Sequence, residues 1–334
     1  HDETMHTPEM ESLAQTGILF EQFYTQSTCT PSRSMLMTGR YNIRNGMQDS
    51  VVHSTEPRGV PLDKTLLSER LGAAGYRTAL IGKWHVGFHQ TSFTPTQRGF
   101  DEFFGILTGG GDHYRHESTG AFTMRGPEYK TKTYAFRGQN LWHNDQPVLE
   151  TDPGIGGTHS TDLYTEQALA YVDGHIALRR AANASSAASS ASAAAARNAS
   201  SSEGGEASRV VAPFFLMLSY QAVHAPVQAP DEYVDGTLTT GCSRLHSGDT
   251  TRMRRKLCGM MAQVDAGLGR LVGRLKGARE WDHTAMLFLS DNGGILRHGS
   301  SNSPLRGEKG QYLEGESQRE RKKRPRPKEE SGAA

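Results

Sequence analysis

Apolar positions in this chain fall into blocks punctuated by glycine and proline. Thr7-Pro8 is followed by Met10, Leu13, Ala14 and then Gly17, which reads as a short helix with proline in its first turn and glycine past its end. The run from Ile18 to Tyr24 reads as a strand leading towards Cys29. Thr65 to Gly75 repeats the short helix closed by glycine, and Tyr76 to Gly82 reads as a buried strand that ends at Lys83-Trp84-His85. Pro213 to Tyr220, P-F-F-L-M-L-S-Y, is a further apolar strand, and Gln221-Ala222-Val223-His224 follows it directly. Between Thr251 and Lys276, Met253, Leu257, Met260, Val264, Leu268, Leu271 and Leu275 recur every three or four residues, the spacing of an amphipathic helix. Thr284 to Ser290 reads as a last strand and runs into Asp291-Asn292-Gly293-Gly294.

Strands that alternate with helices predict an α/β fold with a central, mostly parallel sheet flanked by helices. In open sheets of that kind ligands bind beyond the carboxyl ends of the strands. Lys83, His85, His224, Asp291 and Asn292 all fall there, so distant segments are expected to build one active-site rim. Residues 181–208 break the pattern, because 21 of these 28 positions are alanine or serine and none is aromatic or large and aliphatic. Such a segment buries too little to order itself and is expected to be a disordered surface insertion. Alanine could instead prolong the preceding helix, but the interleaved serines and Gly204-Gly205 weigh against that. Asn183-Ala184-Ser185 and Asn198-Ala199-Ser200 are glycosylation sequons, of a kind that a serine-rich tract also produces by chance.

Composition narrows the functional classes. Thirty-seven basic and 36 acidic residues among 334 give a net charge of +1, which indicates neither a nucleic-acid partner nor an acidic surface. The tail 317–334 is basic, but no aromatic side chain interleaves its charges, so a solvated tail is expected rather than a nucleic-acid site. No apolar stretch approaches the ~20 residues of a membrane span. Three cysteines are too few for a disulfide framework. Cys242 and Cys258 could close a short loop or remain two buried thiols.

The run from Cys29 to Arg40, C-T-P-S-R-S-M-L-M-T-G-R, resembles the signature of the type I sulfatases, and the flanking Tyr41 to Gln48 resembles the arylsulfatase B-like enzymes in particular. The resemblance implies an alkaline-phosphatase-like sandwich. It also implies that a formylglycine-generating enzyme converts Cys29 to formylglycine during biosynthesis. The hydrated aldehyde is then the nucleophile; one hydroxyl attacks sulfur, and the other releases sulfate from the covalent ester without attack by water. Arg33, one helical turn on, is expected to hold the diol near its cationic fork. In G-K-W-H-V-G, Lys83 would hold sulfate and His85 would orient the diol. The A-V-H-A-P segment would give His224 the role of proton donor to the departing alcohol. S-D-N-G-G makes Asp291 and Asn292 calcium ligands together with the group at Cys29, and P-L-R-G-x-K makes Lys309 a second cation for sulfate. Phosphoesterases of the same superfamily normally carry serine or threonine at the nucleophile, so C-T-P-S-R speaks against them.

The family pattern also contains parts absent from the given sequence. A strand ending in Asp-Asp is implied upstream of Thr7, yet only six residues precede it here, so half of the calcium site is expected to be missing. After Glu316 the basic tail stands where the resemblance implies the family's smaller C-terminal domain, so residues 1–316 are expected to be an incomplete catalytic domain, truncated at both ends. The implied substrate is a sulfated sugar or aryl sulfate, read by a loop containing Asp112, His113, Tyr114 and His116. Secretory-pathway location, secreted or lysosomal, is implied as well. The competing expectation is a catalytically silent fragment or a relative that only binds sulfated glycans.

Overall fold

The computed structural model describes residues 5–125, 131–196, 211–235, 242 and 249–313. Helix α1 (Pro8–Thr16) carries proline in its first turn and closes with the Gly17 amide on the Leu13 carbonyl at 2.8 Å. Helix α2 (Cys29–Thr38) stops at Gly39, whose left-handed φ of 63° lets its amide reach the Met35 carbonyl. The short helices α3 (Asn42–Asn45) and α4 (Leu67–Ala73) precede strand β1 (Arg77–Lys83). There follow β2 (Glu102–Ile106), the hairpin β3 (Glu117–Arg125) and β4 (Thr131–Gln139), then β5 (Leu141–His143) and β6 (Gln146–Pro147). Helix α5 (Ser160–Ala196), strand β7 (Phe214–Ser219), the turn of helix α6 (Asp231–Val234) and helix α7 (Asp249–Gly277) follow.

The main sheet has the order β6-β5-β2-β1-β7, with β1 parallel to both β2 and β7. Side chains alternate across β1. Leu80 packs on one face with Met37, Leu66, Trp84 and Phe103, while Ala79 and Ile81 pack on the other with Tyr164, Ala168 and Tyr171 of α5. Beyond that layer, Val172 and Ile176 of α5 meet Leu271 and Leu275 of α7. Helix α7 also caps α1, because the carboxylate of Asp265 accepts the Glu9 and Met10 amides at 3.0 and 2.8 Å. At the carboxyl end of the sheet Gly82 pairs with both Ser219 and Gly105, and a Cβ there would lie 1.9 Å from the Ser219 carbonyl oxygen. Glycine thus lets the three strand ends close up where the site forms.

Three expectations change. Ile18–Tyr24 and Thr284–Ser290 are not strands; Ile18 is 86% exposed, Leu287 64%, and no described strand pairs with either segment. Apolar runs record a preference for burial, but a strand also needs a neighbour to take its hydrogen bonds. Residues 181–196 are helical rather than disordered, because alanine's high helix propensity carries α5 onward from its packed first half. The remainder of the Ala/Ser insertion and the tail 317–334 lie outside the described residues. Cys242 and Cys258 form a disulfide, which leaves Cys29 as the free thiol.

Candidate active site

Each residue at the start of α2 has a separate task. Ser32 closes the preceding loop, donating to the Gln26 carbonyl and accepting the Gln26 amide. Thr30 donates to the His85 carbonyl at 2.9 Å and accepts the Val52 amide, so the helix start is tied to the segment beyond β1. Arg33, itself buried, reaches further. Its Nε and Nη2 both lie 3.0 Å from Asp291 Oδ2, and its Nη1 donates to the Lys83 carbonyl and to Ser219 Oγ. Ser219 Oγ donates in turn to the Lys83 carbonyl. The guanidinium therefore clamps α2, the ends of β1 and β7, and the Asp291 segment together. The expected closeness of its fork to position 29 appears as charge, since Arg33 helps to lower the Cys29 thiol, while the hydrogen bonds of its guanidinium go to Asp291 and the strand ends.

Cys29 is 2% exposed, and Lys309 donates to its Sγ at 3.0 Å across 280 residues of sequence. Burial pushes the thiol up, but Lys83, then Lys309 and Arg33, outweigh it and bring the thiol below its ordinary value. Lys83, at the end of β1 and also buried, is pushed down chiefly by that burial and by its cationic neighbours. Lys309 is held in place by its amide on the Gly294 carbonyl and by the next amide on the Ser27 carbonyl.

His85 adopts a left-handed φ of 60°, and its Nε2 lies 3.0 Å from the Val52 carbonyl. A proton on Nε2 leaves Nδ1 as a lone pair, and that atom is buried without a hydrogen-bond partner. Burial first, then Lys83 and Arg33, keep this imidazole neutral well below its usual value. His224 donates from Nδ1 to the Ala225 carbonyl at 2.7 Å, which frees Nε2. Burial, Lys83 and Lys309 hold its imidazole down to about 4.

Asp291 and Asn292 suit part of a site for a hard cation. Asn292 Oδ1 is buried with no hydrogen-bond partner. Burial raises the Asp291 carboxyl, but Arg33, Lys83 and Lys309 hold it ionised and well below the usual carboxylate range. These are two oxygen donors of the six to eight that calcium takes. Among the described residues no group of three or more His, Cys, Asp or Glu side chains is arranged to hold a metal.

The loop expected to read a sugar is mostly turned inward. His113 and His116 are buried; His113 Nδ1 lies 2.7 Å from Ser160 Oγ and His116 Nε2 lies 3.4 Å from the Ile155 carbonyl. Asp112 accepts the Tyr114 and Arg115 amides and Gln228 Nε2. Tyr114 alone of the four lines a surface cavity, of about 320 Å³, with Thr158, His159, Asp162, Asp231 and Glu232. Sequence reading missed Ser219, Gln221 and Gln228. The first two sit at the end of a strand already read as such, the one signal that could have found them.

Three cations gather around a buried thiol and one carboxylate beside the carboxyl ends of the parallel strands β1, β2 and β7, in an α/β fold of the alkaline-phosphatase-like type. The chain matches the family model described as Sulfatase over residues 1–185 and 202–320, and it belongs to that family. It is 33% identical to arylsulfatase J of Mus musculus over 316 residues, covering 94% of this chain and 43% of that protein. With N-acetylgalactosamine-6-sulfatase of Homo sapiens it shares 29% over 312 residues, 90% of this chain and 48% of the relative. The crystal structure of Ps i-CgsB in complex with k-i-k-neocarrahexaose superposes with a TM-score of 0.69 at 29% identity, covering 93% of this chain and 58% of that one. The chain thus spans about half the length of the curated relatives it matches. No helix among the described residues is long and apolar enough to cross a membrane.

Proposed function

We propose that this chain carries the catalytic site of a sulfuric ester hydrolase acting on sulfated sugars or aryl sulfates. The observation that carries the reading is the convergence of Lys309 and Lys83 on the buried Cys29 at the start of α2. Converted to formylglycine, position 29 would supply a hydrated aldehyde as nucleophile, while calcium held by Asp291 and Asn292 would draw charge from the sulfate. The chain's own residues account for the remaining work. Lys83 and Lys309 bind the anionic sulfate and offset the charge that gathers on it in the transition state. The unpartnered Nδ1 of His85 accepts a hydrogen bond from the group at position 29 and orients it. His224, with Nε2 free, donates a proton to the departing alcohol. Its imidazole is neutral near pH 7 in the empty site, and an anionic sulfate raises its proton affinity by offsetting Lys83 and Lys309.

The near-complete burial of Cys29 supports conversion by the formylglycine-generating enzyme before the chain folds. The Cys242–Cys258 disulfide supports an oxidising, secretory-pathway location, and Asn183 is an exposed sequon there. The test is hydrolysis of a nitrophenyl sulfate and a sulfated oligosaccharide by the full chain, co-expressed with the converting enzyme, in calcium. Cys29→Ala should abolish turnover. Full activity in that variant sinks the mechanism, whereas glycan binding without turnover by the unaltered chain would favour the silent, glycan-binding relative.

A further inference from the structure

The loop after β2 reads Leu107-Thr108-Gly109-Gly110-Gly111-Asp112, and none of its three glycines has the left-handed φ that would require glycine on conformational grounds. At two of them the missing side chain faces a histidine. A Cβ on Gly109 would lie 2.6 Å from His85 Cε1 and 2.8 Å from its Nε2. A Cβ on Gly110 would lie 2.8 Å from His224 Nδ1 and 3.2 Å from its Cε1. The first three separations are closer than carbon side chains tolerate, so a ring or the loop would have to shift.

Neither partner has room to yield. His85 is held by Nε2 on the Val52 carbonyl, by its amide on the Leu107 carbonyl and by Thr30 on its own carbonyl. His224 is held by Nδ1 on the Ala225 carbonyl, and its own carbonyl lies 3.2 Å from His113 Nε2. Gln221 ties the His224 segment to the loop through the Gly111 carbonyl at 2.6 Å. The two loops are therefore fastened face to face, and the strip of backbone between the fastenings carries no side chain.

We propose that Gly109 and Gly110 are positioning residues, a bare backbone surface against which the imidazoles of His85 and His224 are set. The proposal rests on the roles given above to those two histidines. Its consequences differ between the two positions. A methyl group at 109 displaces the ring that orients the nucleophile and slows every substrate alike. A methyl group at 110 displaces the proton donor and interferes with its Nδ1 hydrogen bond, so substrates with poor leaving groups suffer most.

The experiment compares Gly109→Ala and Gly110→Ala in the full, converted chain with Gly138→Ala, a strand glycine with open space at its Cβ position. A displacement of about 1 Å costs up to about 10²-fold in rate. Gly110→Ala should therefore lower kcat by about that factor on a sugar sulfate and much less on a nitrophenyl sulfate, and Gly109→Ala should lower both equally. Imidazole nitrogen resonances, assigned by single His→Gln variants, need no turnover. The His224 signal should move selectively in Gly110→Ala and the His85 signal in Gly109→Ala, with both unmoved in Gly138→Ala. Selective shifts in a chain that hydrolyses no sulfate ester would uphold the positioning and reject the sulfatase reading instead. Unmoved resonances, or rates matching Gly138→Ala on both substrates, overturn the proposal. Should Gly110→Ala fail to fold, adding His224→Ala must restore the fold by removing the obstructed ring; failure to restore it overturns the proposal too.

Discussion

Arg33 and Asp291 lie 258 residues apart, and their contact ties α2 to the segment that follows α7. Two guanidinium donors meet one carboxylate oxygen at 3.0 Å, while the third nitrogen bonds the Lys83 carbonyl and Ser219. Removing one partner of a buried pair costs ~3–5 kcal/mol. Asp291 keeps 27% of its side chain exposed, so water recovers part of that penalty, and Arg33→Met should cost about 3 kcal/mol. Asp291→Asn should cost less, since Arg33 retains the Lys83 carbonyl and Ser219. The double variant should fall short of the sum by about 2 kcal/mol, within the range found for contacting residues. Urea unfolding of the chelator-treated, full chain measures all three, at constant slope. Acid should erase the coupling. The folded carboxyl titrates below its unfolded value of about 3.9, so the stabilisation is complete above that value and is lost as pH falls further. Additivity within about 0.5 kcal/mol at neutral pH would refute the clamp.

Two further outcomes follow from the same charges and from the cysteines. For a sugar sulfate, kcat/KM should fall as pH rises through about 4, the value of His224 in the free site, because a neutral imidazole cannot donate; kcat should fall only at higher pH, since bound sulfate offsets Lys83 and Lys309. A shared midpoint for both parameters would remove His224 from the role. Replacing Cys242 and Cys258 by serine opens a loop of 16 residues' separation and should cost about 3 kcal/mol by thermal or denaturant unfolding, with the site unaffected in mild conditions. Unchanged stability would mean that the bond constrains nothing in the unfolded chain.

Local pattern was a sound guide wherever an element's neighbours are close in sequence or its pattern is unambiguous. The three-and-four spacing from Met253 to Leu275 matches α7, and the apolar runs at Arg77 and Phe214 match β1 and β7. It misled at Ile18–Tyr24 and Thr284–Ser290, where apolar character came without a hydrogen-bonding neighbour. In α5 the alanines prevailed over the serines, since the helix was already nucleated by the buried Leu163, Tyr164 and Ala168.

By itself the sequence determined which chemical groups are present, a thiol, three cations, two histidines, a carboxylate and an amide in an order that identifies the family, and that Lys83, His85 and His224 lie at or beyond strand ends. Tertiary structure decided what each of them touches. Arg33 directs its donors to Asp291 and the strand ends, His113 and His116 turn inward, and two glycines press bare backbone against the imidazoles of His85 and His224. These outcomes depend on contacts such as Lys309 with Cys29, 280 residues apart, which exist only once the sheet has brought its carboxyl ends together. Spacing along a chain carries residue identity and local periodicity; distance, burial and the competition for hydrogen-bond donors arise only in the packed molecule.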